Sequence, residues 1–285
     1  MTDIQTTPPV PLELVYKRID GMDVSMDVYI PERATESAPV PVLLWWHSMA
    51  PHLLAAPRKH NLCVIAADYR LAPQTRFPGI LADCKDAMDF IRSENFARAT
   101  SGRVSPLKLV LSGSSAGGWL ALLSGTGIGF QECGLGLPAP VNGIAAIFTY
   151  VGRMIDRAEL EPFIDPNATG TSTSPPSGIG RSVFYDYTLQ EGIYSSLLLD
   201  GTDIQPGAFC IAPALKFRKF NPPPVYIIHG TIDDKVPLKQ ATNVVAALKE
   251  IGSLVVYDEM EGLDHLFDTD ARYEMENMYN FILQL

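Results

Sequence analysis

The sequence predicts an α/β fold: a doubly wound, mostly parallel sheet with helices on both faces and a helical lid insertion. Three observations predict it. Short, predominantly apolar runs recur at 40–46, 62–67, 107–111, 144–151, 225–228 and 254–257, the pattern of strands buried on both faces. Amphipathic stretches lie between them, and one long interval, 152–216, carries no strand signal.

The chain opens with two β-rich segments, 12–19 and 24–30. The second alternates Val24, Met26, Val28 and Ile30, as a strand with one solvated face does, so the pair is expected to form an antiparallel edge. The helical period is clearest at 79–92, where Ile80, Cys84, Ala87, Met88 and Ile91 fall on one face. Residues 237–250 and 269–285 read likewise. Within 152–216, residues 165–182 are rich in Pro, Gly, Ser and Thr, between helix-like pieces at 154–163 and 189–199. The interval is expected to be a lid within a single domain spanning 1–285; the plainer reading is a surface excursion without a role.

With 285 residues, 47% hydrophobic and 19% charged, the chain is too apolar for disorder. Its formal charge of -10 repels phosphate backbones and anionic lipid, which leaves a small molecule as the expected partner and nucleic acid as excluded; a homodimer stays open. No apolar run approaches the roughly 20 residues of a membrane helix. The first 11 residues lack the basic start and apolar stretch of a signal peptide, so the expectation is a cytoplasmic protein. Cys63, Cys84, Cys133 and Cys210 are scattered without CxxC pairing, as reduced thiols are. No metal cluster or dinucleotide fingerprint is present, so no cofactor is expected.

The run 107–112 leads into Gly113-Ser114-Ser115-Ala116-Gly117-Gly118 and then an apolar helical stretch. This is G-x-S-x-G between a strand and a helix. The sharp turn forces its central residue into a strained conformation, and the flanking glycines are needed because a side chain would strike neighbouring backbone. Ser115 is thereby presented at the top of the sheet and at a helix N-terminus, where negative charge is favoured.

A serine hydroxyl needs a base to take its proton and a carboxylate to orient that base. Of the five histidines, His47 and His229 end strands, and His52 and His60 lie in the loop and short helix after the first parallel strand. Only His265 lies in a loop after the last strand, where the chain order Ser, Asp, His requires it. The acid is expected after the preceding strand, in His229-Gly230-Thr231-Ile232-Asp233-Asp234. Asp233 is the first choice and Asp234 the alternative, the other capping the helix that begins near Pro237.

With these residues assembled, the sequence resembles the hormone-sensitive-lipase-like branch of the α/β-hydrolases, carboxylesterases and lipases. The match rests on Asp68-Tyr69-Arg70-Leu71-Ala72-Pro73 with Phe77-Pro78, on the elbow 113–118 with Ser114 in place of Asp, and on the loops 229–237 and 262–267. The resemblance covers roughly 40–150 and 222–285, and implies Ser115 as nucleophile, Asp233 as acid and His265 as base. One motif departs. The family has H-G-G-G after its third strand, and this chain reads His47-Ser48-Met49-Ala50-Pro51. The Ala116 N–H remains as one oxyanion donor; the second falls to the N–H of Ser48 or Met49, or to the Ser48 hydroxyl.

The leading expectation is hydrolysis of a small carboxylic ester or lactone. The missing glycines admit a second, in which the triad relays protons for a cyclase or lyase of a biosynthetic pathway without net hydrolysis. A ligand-binding protein is the third, disfavoured because the triad is intact. Phe148 and Tyr150, ending a strand, and Tyr194, in the lid, are candidates for lining a substrate pocket, against the reading that such aromatics only hold the lid to the body.

Overall fold

The structure is a computed structural model that describes residues 10–47, 49–148, 187–188, 192–217, 221–265 and 267–285. Its sheet has eight strands in the order β1-β2-β4-β3-β5-β6-β7-β8. These are β1 Leu12–Ile19, β2 Met22–Tyr29, β3 Val40–Trp46, β4 Cys63–Ala67, β5 Val104–Ser114, β6 Gly143–Phe148, β7 Val225–Gly230 and β8 Val255–Met260. β1 and β2 pair antiparallel, and β2 joins β4 antiparallel. Every pairing from β4 through β8 is parallel. Among the described residues the helices are α1 Pro51–His60, α2 Phe77–Ile91, α3 Glu94–Ala99, α4 Ala116–Thr126, α5 Tyr194–Leu199, α6 Ile211–Phe217, α7 Leu238–Glu250 and α8 Glu276–Leu283.

The two-faced burial read from the apolar runs is visible in β3. Val42, Leu44 and Trp46 point into a core shared with α2, α4, α6 and α7. Leu43 and Trp45 point the other way, into a core shared with α1 and α8. All five are fully buried, so the stretch from Val42 to Trp46 has no position left for a polar residue. In β2 one face is apolar throughout, with Val24, Met26 and Val28 buried, while on the other Ser25 and Asp27 are half-buried and Tyr29 closes into the second core.

α2 carries the five residues of the helical period, all buried. Its start is set by Pro78, whose fixed φ suits the first turn. It also buries Asp83, which needs charge partners there. Arg70 supplies Nε to one carboxylate oxygen and Nη2 to the other, both at 2.9 Å, and Lys17 donates at 2.7 Å. The Asp68-Tyr69-Arg70 segment is thus tied to α2 and β1 as well as to the sheet.

The C-terminal pattern 269–285 resolves into a short 3-10 turn, Phe267–Thr269, and the shorter α8. α8 packs on α1 through a histidine–tyrosine cluster. The Tyr279 hydroxyl donates to the His52 carbonyl at 3.1 Å, so His52 Nδ1 is the donor in its 2.8 Å contact with that hydroxyl. The His60 ring stacks on Tyr279 at 4.1 Å. Burial lowers the His52 pKa from 6.5 to about 4. The unfolded chain therefore takes up a proton below pH 6.5 that the folded chain refuses until about pH 4. Stability present above pH 6.5 is lost as the pH falls through that window, by about 3 kcal/mol from His52 alone. Urea unfolding at pH 7 and pH 4.5 checks this; His52→Gln is expected to flatten the difference.

Candidate active site

Ser115 is the single residue between β5 and α4, and its backbone takes φ 53° and ψ -120°. A non-glycine residue is held there only when its surroundings over-determine it, at a cost on the order of 1–3 kcal/mol. The surroundings are glycines in backbone contact. A Cβ on Gly113 would lie 2.8 Å from the Gly117 Cα, and one on Gly118 2.8 Å from the Ile147 carbonyl oxygen. A Cβ on Gly117 would collide with the Trp46 carbonyl at the end of β3. The Ser115 N–H donates to the Ile147 oxygen at 2.8 Å, fixing the turn to β6.

The other two residues come from the ends of β7 and β8. Asp233 Oδ1 accepts from the backbone N–H of Lys235 at 2.9 Å and of Val236 at 2.8 Å. Its Oδ2 lies 2.5 Å from His265 Nδ1. Both side chains are fully buried. Asp234 is largely exposed and pairs with Lys235 at 3.0 Å. It does not cap α7 as expected: Pro237 is the N-cap, with no side-chain hydrogen bond.

The loops carrying Asp233 and His265 are stitched together. The Thr231 N–H donates to the Met260 oxygen at 3.0 Å, the Ile232 N–H to the Leu263 oxygen at 3.2 Å, and the Gly262 N–H to the Thr231 hydroxyl at 2.9 Å. Gly230 makes this approach possible, because a Cβ there would strike the Leu263 carbonyl and lie 2.8 Å from the Asp264 oxygen. Gly230→Ala is expected to displace the His265 loop and lower any turnover that depends on His265 about a hundredfold, with a smaller loss in Tm. Paired turnover and melting measurements check it.

Burial outweighs the Asp233 carboxylate at His265 and lowers its pKa from 6.5 to about 3. The ring stays neutral, and so able to accept a proton, well into the acid range. For a reaction in which His265 is the base, the acid limb of kcat/KM is accordingly expected far below pH 6.5, with activity held at pH 5 in short assays.

Ala116 is the first residue of α4, so its N–H has no carbonyl four residues earlier within the helix. Facing the elbow, β3 and α1 are joined by residues 47–50 alone. His47 takes φ 88°, the region glycine would otherwise supply, and its Nδ1 lies 3.2 Å from the Tyr69 hydroxyl. Burial lowers the His47 pKa. Met49 is half-buried and packs on the second core; Ser48 lies outside the described residues.

Phe148 ends β6 in register with His229, and Tyr150 lies outside the described residues. Tyr194 opens α5 and packs against the first core. The end of the 152–216 interval is fastened to the body: the Trp119 indole donates to the Phe209 carbonyl at 3.1 Å, and Phe77 packs on both rings. Residues 154–163 and 165–182 lie outside the described residues. From sequence, His229 reads only as a strand terminus. Its Nε2 lies 2.9 Å from Asp233 Oδ2, and the signal was its place four residues before Asp233 at the mouth of β7.

Cys63 and Cys84 are buried and, with Cys133 and Cys210, unbridged. No group of three or more His, Cys, Asp or Glu among the described residues could hold a metal ion. No helix among them is long and apolar enough to cross a membrane.

A strained serine on a strand–helix elbow, with a paired aspartate and histidine on later loops of a mostly parallel sheet, is the arrangement of an α/β-hydrolase. The model of the α/β-hydrolase fold family matches residues 46–269, and the chain belongs to that family. Among solved structures, Thermogutta terrifontis esterase 2 phosphorylated by paraoxon superposes with a TM-score of 0.65 at 20% identity, covering 100% of this chain and 97% of that one. The curated relatives are of two kinds. Methylphloroacetophenone synthase of Cladonia uncialis is 29% identical over 91% of this chain and 12% of its own length. A non-reducing polyketide synthase of Acremonium egyptiacum is 26% identical over 90% of this chain and 14% of its length. Esterase LipC of Mycobacterium tuberculosis is 27% identical over 72% of this chain and 45% of its length. The chain thus spans about one-eighth to one-seventh of the length of these synthases and under half of the esterase.

Proposed function

We propose that this chain is a serine esterase in which Ser115 is the nucleophile, His265 the general base and acid, and Asp233 the residue that orients His265. The observation that carries this is the 2.5 Å contact between His265 Nδ1 and Asp233 Oδ2, built on the same sheet edge as the strained Ser115. With Nδ1–H committed to the carboxylate, Nε2 is the basic nitrogen. It takes the Ser115 proton as Oγ forms a bond to the acyl carbon, and returns it to the departing alcohol as the carbon–oxygen bond breaks. Water then repeats the cycle, releasing the acid and restoring the Ser115 hydroxyl. The Ala116 N–H and a donor from Ser48 or Met49 would hold the oxyanion, and residues 152–216 would cap the site within one domain.

The substrate we infer is a small carboxylic ester or lactone. Phe148, Tyr150 and Tyr194 are the first positions to test for substrate contact. A second reading is favoured by the polyketide synthase relatives, which the chain matches over about nine-tenths of its own length, and by the glycine-free segment after β3. In it, the same triad closes or cleaves a polyketide-derived chain without adding water. The test is incubation with p-nitrophenyl esters from acetate to octanoate, and with lactones and polyketide-type acyl chains, read by mass spectrometry. Ser115-dependent products whose masses sum to substrate plus water support the esterase. Ser115-dependent products whose masses sum to the substrate alone, a single isomer for closure or fragments for cleavage, support the second reading and overturn the first.

A further inference from the structure

Asp233 receives more donors than a triad carboxylate needs. Its Oδ2 meets two imidazoles, His265 Nδ1 at 2.5 Å and His229 Nε2 at 2.9 Å. The role of each nitrogen follows from its neighbours. His229 Nε2 also lies 3.0 Å from the Val236 carbonyl oxygen. Carboxylate and carbonyl oxygens are both acceptors, so Nε2 of His229 carries the hydrogen. With two backbone N–H groups on Oδ1, the carboxylate is held by four donors.

We propose that His229 is a positioning residue that fixes the Asp233 carboxylate and sets how strongly it draws on His265. This rests on the triad assignment made above. The geometry gives two effects. The His229 side chain is fully buried on β7, a strand paired on both sides, so its N–H anchors Oδ2 against rotation while the Asp233 loop supplies only Oδ1 contacts. The shared oxygen also divides its negative charge between two N–H groups. Without His229, that charge would fall on His265 alone and favour its protonated form. The other charged groups acting on His265 are Asp234 and Lys235, which no change at His229 removes.

The test compares His229→Leu, which removes the donor, with His229→Gln, whose amide nitrogen reaches about as far as Nε2. Imidazole titration by NMR is followed at His265 in each folded protein, alongside kcat and KM for p-nitrophenyl butyrate. His229→Leu is expected to move the His265 titration upward by about half a pH unit or more. It is also expected to cut kcat roughly tenfold at unchanged KM, and His229→Gln to recover most of both. A His229→Leu protein with unmoved titration and kcat overturns the proposal. So does equal impairment of the two variants without a shift, which is a packing defect alone; if His229→Leu fails to fold, a His229→Gln protein titrating unlike wild type has the same meaning. Wild type that titrates as expected but turns over no ester defeats the esterase reading and leaves the coupling standing.

Discussion

Ser115→Ala is expected to lower kcat for a short p-nitrophenyl ester by about 10⁴-fold or more while leaving Tm nearly unchanged. In the proposed mechanism the reaction loses its nucleophile, and what remains is the background rate aided by whatever the proposed oxyanion donors and binding contribute. The fold is insensitive because the elbow is held from outside the side chain, by the Ser115 N–H to Ile147 and by the glycine contacts with Trp46 and Ile147. Alanine has a Cβ like serine, so the strain at φ 53° persists. Ser115→Gly, equally inactive, is expected to raise stability by about 1 kcal/mol, separating the cost of the turn from the chemistry.

Asp233→Asn is expected to cost about 10³- to 10⁴-fold in kcat. The amide can still accept the two backbone N–H groups on Oδ1. Its NH2 would then face two imidazole N–H groups, and donors cannot meet donors. His265 would turn or exchange its tautomer, placing hydrogen on the nitrogen that should accept it from Ser115. The neighbouring Asp234→Asn serves as control. That carboxylate is exposed and paired only with Lys235 among the described residues, so its loss is expected to change kcat by less than about threefold. Parallel assays of the two variants check both statements.

The elements legible in the sequence were those whose physics is local. The inner apolar runs read as strands because β3, β4, β6 and β7 send side chains into the cores on both faces, and α2 announced itself through five buried positions at helical spacing. The run at 254–257 departs from the expected two-faced burial, because β8 is an edge strand that leaves Val256 and the preceding Leu254 exposed, and Leu107 at the start of the run 107–111 is exposed as well. The elbow was legible because its glycines answer to backbone contacts within a few residues and across one strand. Strand ends were less so: β5 runs three residues beyond its apolar core at each end, through Val104 and Ser114, because pairing with β3 and β6 continues where the hydrophobic pattern stops. The choice between Asp233 and Asp234 depends on which carboxylate the β7 turn points inward, a matter of loop conformation that spacing does not encode. His229 escaped for a related reason. A histidine at a strand end looks like any buried polar residue until the partner oxygen is located. The same holds at His47, where the chain takes a left-handed conformation without the glycine that would have advertised it.

Treatment with paraoxon, the reagent that phosphorylates the Thermogutta esterase, followed by peptide mapping probes the triad most directly. Labelling requires a hydroxyl that is both exposed to the reagent and activated by a base, so it reports nucleophile and base together. A single modified residue, Ser115, is expected, with labelling abolished in Ser115→Ala and slowed at least a hundredfold in His265→Ala. Labelling elsewhere, or at Ser115 with undiminished rate in His265→Ala, would contradict the assignment of Ser115 as nucleophile and His265 as its base.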